Sequence, residues 1–368
     1  MPQELLLSAI SQKKLPKSLK NKLVKEYFLV NDNFDEKERL FVPIRNMCRY
    51  STATLHIVVH LNYDCNLKCS YCYQNVISNK MVMSGDTERA VIQFIDKLVE
   101  DKNPEYIDLN FIGGEPMLHV DKIKRIMQAC NKMSKNFNFS AVSNGTFGNT
   151  SQLNELADLG LKEYFITLDG LESEHDRYRK YQNGRGSFST IIKNIKKMQE
   201  KFPEIKVLIN SNLNEENKRK VPELLDYLIQ QDVLYPVVFS EVIDTAASKF
   251  NGTIKDGETS WYDAHKAAID RGYHYKPYTR EIDLACSRNI ANYYIIGADG
   301  FLFSCIEAVG MNEFRQCHTS DYGTAMFDII RSQTQDVKYS SKRCNSCEFL
   351  PHCDGGCYYR RSMMILIV

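Results

Sequence analysis

The chain has 368 residues, of which 43% are hydrophobic and 25% are charged. These proportions exclude a disordered or fibrous protein, and the length allows two or three domains with buried cores. With 47 Lys and Arg against 46 Asp and Glu, the charge balance argues against a protein that binds nucleic acid through bulk charge. The sequence shows neither an apolar stretch of about 18 residues nor a signal peptide, so we expect a cytoplasmic protein with no membrane or nucleic-acid partner.

Residues 51–245 alternate between strand and helix patterns. Short apolar segments predict six strands, at 54–61, 106–112, 137–142, 164–168, 205–209 and 235–239. Apolar residues at helical spacing predict the helices between them, at 86–100, 123–130, 153–159, 191–198 and 221–228, with Ser84 as the cap of the first. Repeated βα units of this kind predict an α/β fold, a partial (β/α)6 barrel with a parallel sheet, whose functional residues lie at the carboxyl ends of the strands.

The alternation weakens after residue 245, and we expect a domain boundary between about 245 and 285. The predicted organisation is a leader or cap region at 1–50, the barrel at 51–245, a linker with a helical segment at 246–285, and a cysteine-rich domain at 286–368. Two apolar segments, 293–296 and 301–304, flank Asp299-Gly300, which predicts a hairpin. Residues 1–50 are too short for a complete peptide-recognition module and are either a remnant of one or a cap.

Twelve cysteines in a reducing compartment favour metal or redox chemistry over disulfides. Cys65, Cys69 and Cys72 directly follow the first predicted strand. Three thiolates this close can hold one metal centre, and a cubane iron–sulfur cluster would keep one iron without a protein ligand. An open coordination position is typical of catalytic metal sites. The alternative is that these are three buried apolar cysteines.

The pattern Cys-x3-Cys-x-aromatic-Cys after the first strand of a partial barrel resembles the radical S-adenosylmethionine (radical SAM) superfamily. The resemblance implies that Cys65, Cys69 and Cys72 hold a [4Fe-4S] cluster whose free iron binds S-adenosyl-L-methionine. It also implies an external one-electron donor, since one electron cleaves the cofactor to methionine and a deoxyadenosyl radical that abstracts hydrogen from the substrate.

Polar or glycine-rich motifs follow the later predicted strands, where this family binds its cofactor. The resemblance assigns to cofactor binding the set Tyr71, Gly113, Gly114, Glu115, Pro116, Ser143, Asn144, Asp169, Arg179, Asn210 and Leu213. Within this set the Gly-Gly-Glu-Pro segment would receive the methionine amino group, Arg179 would pair with the methionine carboxylate, and Leu213 and Tyr71 would flank the adenine. A solvated surface position is the alternative for Arg179.

The second group of cysteines resembles the SPASM extension of radical enzymes that modify peptides. Its members are Cys286, Cys305, Cys344, Cys347, Cys353 and Cys357, and the resemblance implies one or two auxiliary [4Fe-4S] clusters. By analogy Cys286, Cys305 and Cys357 serve the nearer cluster and the other three serve the farther one. The family pattern has a seventh cysteine, which Tyr358 to Val368 lack, so that Asp354, Cys317 or an outside ligand would complete the farther cluster, or that cluster is labile or absent.

These features predict a radical SAM enzyme whose partner is a precursor peptide or protein. The modification would be a thioether, another crosslink or an oxidation. The second candidate is an anaerobic sulfatase maturase that forms formylglycine. The candidate from a different class is a non-enzymatic zinc-binding module, since a Cys-x2-Cys pair alone suits zinc about as well as an iron–sulfur cluster.

Overall fold

The computed structural model describes residues 16–25, 39, 43, 47, 49–243, 250–254, 260–273 and 286–323. The chain separates into two compact units, residues 1–47 and residues 48–368. In the first unit the described helix α1, Lys17–Lys25, buries none of its side chains. The cysteines Cys48, Cys344, Cys347, Cys353 and Cys357 lie outside the described residues, and their predicted roles stay predictions.

The second unit contains the six predicted strands. Among the described residues they are β1 Thr54–His60, β3 Tyr106–Ile112, β4 Phe137–Ser143, β5 Leu161–Thr167, β7 Lys206–Leu213 and β8 Val237–Glu241, and each pairs in parallel with the next. The predicted α/β fold with a parallel barrel sheet is therefore confirmed. A separate two-stranded ribbon is formed by β2, Leu67–Cys69, and β6, Arg179–Tyr181, which run antiparallel.

Side-chain alternation explains the two faces of the sheet. Leu55, Ile57 and Val59 of β1 are almost completely buried in the main hydrophobic core, because successive strand residues point to opposite faces. The intervening positions His56 and Val58 lie on the other face. Each fully buried Leu, Ile or Val stabilises the fold by about 1.5–3 kcal/mol relative to exposure.

The helices cover the apolar face of the sheet. They are α2 Gly85–Lys102, α3 Val120–Cys130, α4 Thr150–Asp158, α5 Glu172–Tyr178, α6 Phe188–Lys201 and α7 Val221–Gln230. The predicted cap of α2 is confirmed, since the Ser84 hydroxyl accepts a hydrogen bond from the Thr87 N–H at 3.0 Å. Cys130 is completely buried in the core. In the part of the chain that the structure describes, no helix is both long and apolar enough to cross a lipid bilayer.

The helix α8, Ser260–Asp270, packs on the barrel. Ala264 and Ala268 are buried, and the His265 ring meets the Phe239 ring of β8 edge-on, with centroids 5.2 Å apart. The helix after the sixth strand therefore continues the βα series. The predicted segment at 246–285 thus contains a helix, and the long connection between β8 and α8 hides the repeat in the sequence.

Two further strands extend the sheet beyond β1. The strand β9, Tyr293–Ile296, pairs in parallel with β1, and β10, Leu302–Phe303, pairs antiparallel with β9. The predicted hairpin is thus present, and Gly300 has φ +81° at its turn, a conformation that glycine adopts readily. This hairpin joins the start of the predicted cysteine-rich domain to the edge of the barrel.

Candidate functional site

A cavity of about 520 Å³ lies at the carboxyl ends of the parallel strands. Cys65, Cys69 and Cys72 all border it, as expected for a loop that follows β1. Other parts of its wall come from the ends of β3, β4, β5, β7 and β8; the lining residues include Gly113, Gly114, Ser143, Asn144, Thr167, Asn212 and Glu241. The structure therefore brings together residues as far apart in the sequence as Tyr63 and Glu307.

The three cysteines are partly exposed free thiols. Burial raises the pKa of both Cys65 and Cys69 to about 11, and it also raises the pKa of Cys72. A thiolate at this place therefore needs a positive partner such as a metal centre. Among the described residues, no three or more His, Cys, Asp or Glu side chains are arranged to hold a single metal ion.

Gly113 and Gly114 allow the end of β3 to contact the cysteine loop. A Cβ atom on Gly113 would lie 2.3 Å from Asn62 Oδ1, and one on Gly114 would lie 2.0 Å from the carbonyl oxygen of Asp64. The Gly114 N–H also donates to the Asn62 carbonyl oxygen at 3.0 Å. The two glycines thus support the loop that carries the cysteines, in addition to lining the cavity.

Glu115 links the ends of β3 and β4. Its Oε1 accepts hydrogen bonds from the Met117 N–H at 3.1 Å and the Ser143 hydroxyl at 2.9 Å, and its Oε2 accepts one from the Asn144 N–H at 2.7 Å. Burial raises the pKa of Glu115 to about 7. From the sequence we expect this carboxylate to face the cofactor ammonium. In the structure both of its oxygens accept hydrogen bonds from residues that follow β3 or lie at the end of β4. Pro116 is buried at the start of the following helical turn.

Asp169, Arg179, Tyr71 and Asn212 form a second polar group, here called the charged node. The Asp169 carboxylate accepts hydrogen bonds from the Tyr71 hydroxyl and, at 2.8 Å, from the Asn212 N–H, and the Arg179 Nη1 donates to the Tyr71 oxygen at 2.8 Å. Asp169 and Arg179 are 1% and 6% exposed, so the alternative of a solvated surface Arg179 is wrong. The pKa of Asp169 is raised, because the effect of burial outweighs the lowering by the nearby Arg179.

Arg179 is positioned by the two-stranded ribbon. It pairs with Cys69 across β2 and β6, which places its side chain beside the cysteine loop and at the cavity wall. Its Nε is buried without a hydrogen-bond partner among the described residues, and the nearest Asp169 oxygen is 3.9 Å away. A buried guanidinium with a spare donor at a cavity is suited to an anionic group of a ligand.

His175 connects the two charged members of the node through backbone groups. Its Nδ1 accepts from the Asp169 N–H at 3.2 Å, so Nε2 carries the proton and donates to the Ser187 hydroxyl at 3.0 Å. The Ser187 hydroxyl in turn donates to the Arg179 carbonyl oxygen at 2.7 Å. Burial holds the pKa of His175 well below its usual value, which keeps the ring neutral in this chain of bonds.

The strand β7 contributes through a residue that sequence reasoning missed. Asn212 lines the cavity and joins the charged node, whereas Asn210 bonds to the Asn212 side chain at 3.1 Å. Leu213 is completely buried in the hydrophobic core, on the opposite face of the strand from Asn212. The period of two along β7 was the available signal: it places Asn210 and Asn212 on one face and Leu213 on the other.

Two cysteines of the C-terminal region flank the added hairpin in the sequence. Cys286 and Cys305 are both partly exposed. Burial, followed by Glu307, Cys72 and Cys305, raises the pKa of Tyr73, so both Cys305 and Cys72 of the cysteine loop lie near this tyrosine. Cys317 is 9% exposed and packs in the main core, and its predicted ligand role stays a prediction.

The Radical SAM superfamily model matches residues 59–228. A cysteine-type anaerobic sulfatase-maturating enzyme of Clostridium novyi is 29% identical over 178 residues, which are 46% of this chain and 46% of that protein. An Fe-coproporphyrin III synthase of Methanosarcina barkeri is 26% identical over 177 residues, 48% of this chain and 41% of that protein. The chain thus spans about half the length of the curated relatives it matches.

Two solved structures extend the fold comparison beyond the matched domain. The enzyme anSMEcpe, with bound AdoMet and the Kp18Cys peptide, superposes with TM-score 0.69 at 19% identity, covering 83% of this chain and 90% of that one. Streptococcus suis SuiB, bound to its precursor peptide SuiA, gives TM-score 0.64 at 16% identity, covering 97% and 84%. Both show the same fold as this chain. Residues 59–228 are thus a radical SAM domain.

Proposed function

We propose that this protein is a radical SAM enzyme that modifies a ribosomally synthesised peptide or protein. The observation that carries the proposal is the cavity at the strand ends, bordered by three free cysteines and by a buried guanidinium with a spare N–H. The domain match at residues 59–228 supports the cofactor. Two solved structures of the same fold were determined with bound peptides, which supports the substrate class.

The donor set fits an iron–sulfur cluster with S-adenosyl-L-methionine. Cys65, Cys69 and Cys72 would hold the cluster, because three thiols converge on the cavity and their raised pKa values call for a positive centre. When bound, the cluster and the cofactor supply reductive cleavage and hydrogen abstraction. Arg179 would pair with the methionine carboxylate through its free donor, and Asp169 holds that guanidinium in place.

We propose that the substrate enters where the end of β8 and the added hairpin border the cavity. Glu241 ends β8, Val242 and Ile243 follow it, and Glu307 follows the hairpin; all four line the cavity. An apolar surface such as that of Val242 and Ile243 suits a peptide side chain that enters between the barrel and the hairpin. A thioether or another crosslink is the modification we propose.

The proposal is tested with protein purified and reconstituted without oxygen. Iron and sulfide are counted, and deoxyadenosine is measured after dithionite and S-adenosyl-L-methionine are added. We expect deoxyadenosine from the wild type and none from the triple variant Cys65→Ala, Cys69→Ala and Cys72→Ala. Deoxyadenosine formation by the triple variant would overturn the site, and zinc without iron in the wild type would favour the zinc-binding module.

The same preparation tests the auxiliary clusters. We propose one or two, held by Cys286, Cys305 and the four later cysteines. About eight to twelve irons per chain would support them, and about four irons with turnover would mean that these cysteines have another role. Cys286→Ala is expected to lower the iron content while leaving cofactor cleavage partly intact.

A second candidate is an anaerobic sulfatase maturase that forms formylglycine. It is favoured by the match to the Clostridium novyi enzyme and by the superposition on anSMEcpe. Incubation with a peptide that carries the sulfatase motif separates the two candidates by mass spectrometry. A formylglycine product would identify the maturase, and an unmodified peptide would favour a different precursor.

A further inference from the structure

Asn144, at the end of β4, contacts the sulfur of Cys65. Its Nδ2 lies 3.7 Å from Cys65 Sγ and 2.7 Å from Asn66 Oδ1. The residue is 6% exposed, so water does not compete for these bonds. The sequence resemblance assigns Asn144 to the cofactor, yet in this arrangement its side chain is engaged by the protein.

The orientation of the Asn144 amide follows from a backbone donor. The Thr146 N–H donates to the Asn144 Oδ1 at 2.9 Å, and since an N–H only donates, the atom it meets is the oxygen. The other end of the amide is therefore the NH2 group. Of its two hydrogens, one is directed to Asn66 and the other to the sulfur of Cys65.

A closed ring of side chains fixes this orientation. The Asn144 Nδ2 donates to Asn66 Oδ1, the Asn66 Nδ2 donates to the Thr146 hydroxyl at 2.8 Å, and that hydroxyl donates to the Asn144 Oδ1 at 2.7 Å. Rotating the Asn144 amide would bring its NH2 group against the Thr146 N–H and its oxygen against Asn66 Oδ1, so these partners favour the observed orientation. The ring holds the remaining N–H of Asn144 toward the sulfur.

The three sulfurs are unequal in their hydrogen bonds. Cys65 accepts from the Leu67 N–H at 3.4 Å as well as from Asn144, and the Cys72 sulfur is bonded by the Gln74 backbone. Backbone donors are present whatever the side chain at their position. In this set, the Asn144 amide is a donor that a single substitution removes.

We infer that Asn144 is a positioning residue that raises the reduction potential of the cluster held by Cys65, Cys69 and Cys72 through its N–H···S hydrogen bond. Reduction adds negative charge to a cluster, and hydrogen bonds to its sulfurs stabilise the reduced form. The inference rests on the proposed function, because it needs a cluster at these three cysteines.

The test is a redox titration of the reconstituted full chain, followed by the electron paramagnetic resonance signal that the triple cysteine variant lacks. For Asn144→Ala we expect a reduced-to-oxidised ratio about tenfold lower than the wild type at the same poise, which is about 59 mV for one electron. Asn194→Ala is the matched control, since Asn194 donates to the Gly145 carbonyl of the same loop at 2.9 Å and contacts no sulfur. We expect its potential to equal that of the wild type.

An unchanged potential in Asn144→Ala, or equal shifts in both variants, would overturn the inference. If Asn144→Ala does not assemble the cluster, Asn144→Ser decides, because its hydroxyl oxygen can still accept from the Thr146 N–H while the NH2 group that reaches the sulfur is gone. A shift to lower potential in Asn144→Ser supports the inference, and no shift overturns it. A wild type that lacks the signal would instead overturn the proposed function, and the inference with it.

Discussion

Charged side chains at the two ends of the parallel strands differ in their exposure to solvent. At the amino ends, Glu163 of β5 pairs with Lys206 of β7 at 2.8 Å, and the lysine side chain is 63% exposed. At the carboxyl end of β5, Asp169 is 1% exposed and shares its bonds with a buried Arg179 and with Asn212. One end carries a solvated ion pair and the other a buried network beside a cavity.

The difference distinguishes the carboxyl ends of the strands, which line the cavity, from the amino ends, whose charges affect only the fold. An exposed pair is screened by water and contributes little, so such residues tolerate replacement. Burying Asp169 and Arg179 has a desolvation cost that packing alone does not require. We therefore expect a charge pair that is buried at a cavity wall despite this cost to take part in ligand binding.

Removing the carboxylate of Asp169 is expected to cause the largest loss of stability among these changes. Asp169→Ala leaves the guanidinium of Arg179 buried without its carboxylate, and we expect the free energy of unfolding to fall by about 3–5 kcal/mol. Denaturant unfolding measures it. In the double variant with Arg179→Met the loss should be partly recovered, and a loss below about 1 kcal/mol in the single variant would contradict the account.

Glu115→Gln is a smaller change at the neighbouring strand ends. The carboxylate accepts from two N–H groups and one hydroxyl, and an amide nitrogen in place of one oxygen opposes a donor, at a cost of about 1–3 kcal/mol. Chemical denaturation at a single pH is enough to measure this loss. Of the three donors to Glu115, only the Ser143 hydroxyl can rotate away from the carboxylate. Ser143→Ala is therefore expected to cost less and serves as the control.

The Glu115 substitution also predicts a pH dependence. Burial raises the pKa of Glu115 from 4.5 to about 7, so between these values the folded protein binds the proton more tightly than the unfolded chain. This component of stability is present at low pH and is lost as the pH rises through about 7. Glu115→Gln lacks it, and its deficit relative to the wild type should therefore be larger at pH 5 than at pH 8. A stability deficit of Glu115→Gln that is larger at pH 8 than at pH 5 would contradict this prediction.

Ser187→Ala tests the link behind the charged node with a moderate expected effect. It removes the acceptor of the His175 Nε2 proton and the donor to the Arg179 carbonyl. We expect a loss of stability of about 1–3 kcal/mol and a weaker affinity for S-adenosyl-L-methionine, measured by calorimetry. Ser189→Ala, which removes an exposed contact between Ser189 of α6 and Glu172 of α5, should change neither quantity.

Lys206→Ala is the smallest change and concerns the amino ends of the strands. The expected loss is between zero and about 1 kcal/mol, with cofactor affinity equal to that of the wild type. Added salt should reduce even this loss, because the pair is exposed. A loss comparable to that of Asp169→Ala would remove the distinction between the two ends.

Local patterns were sufficient for most of the fold. The apolar segments predicted β1 and β3 closely, and the Ser84 cap and the Asp299-Gly300 hairpin were found as expected. The helix α8 was not recognised as part of the barrel, because its packing on Phe239 is a tertiary contact. Periodicity reports which face is buried, and it does not report which element covers it.

The site was predicted in its members more than in its contacts. The motif at Glu115 shows that a carboxylate ends the strand, yet only the fold shows that it faces Ser143 and Asn144. The Asn144 amide and the Cys65 sulfur are 79 positions apart, and no spacing rule joins them. Tertiary hydrogen bonds of this kind depend on side-chain direction, which the sequence does not give.

The most direct test of the account is the binding of S-adenosyl-L-methionine beside the three cysteines. The reduced, reconstituted protein is examined by electron paramagnetic resonance with and without the cofactor, alongside Arg179→Gln. We predict that the cofactor changes the cluster signal of the wild type, and that Arg179→Gln keeps the cluster but needs a higher cofactor concentration for the same change. A wild-type signal that stays the same at saturating cofactor would contradict the assignment of this cavity.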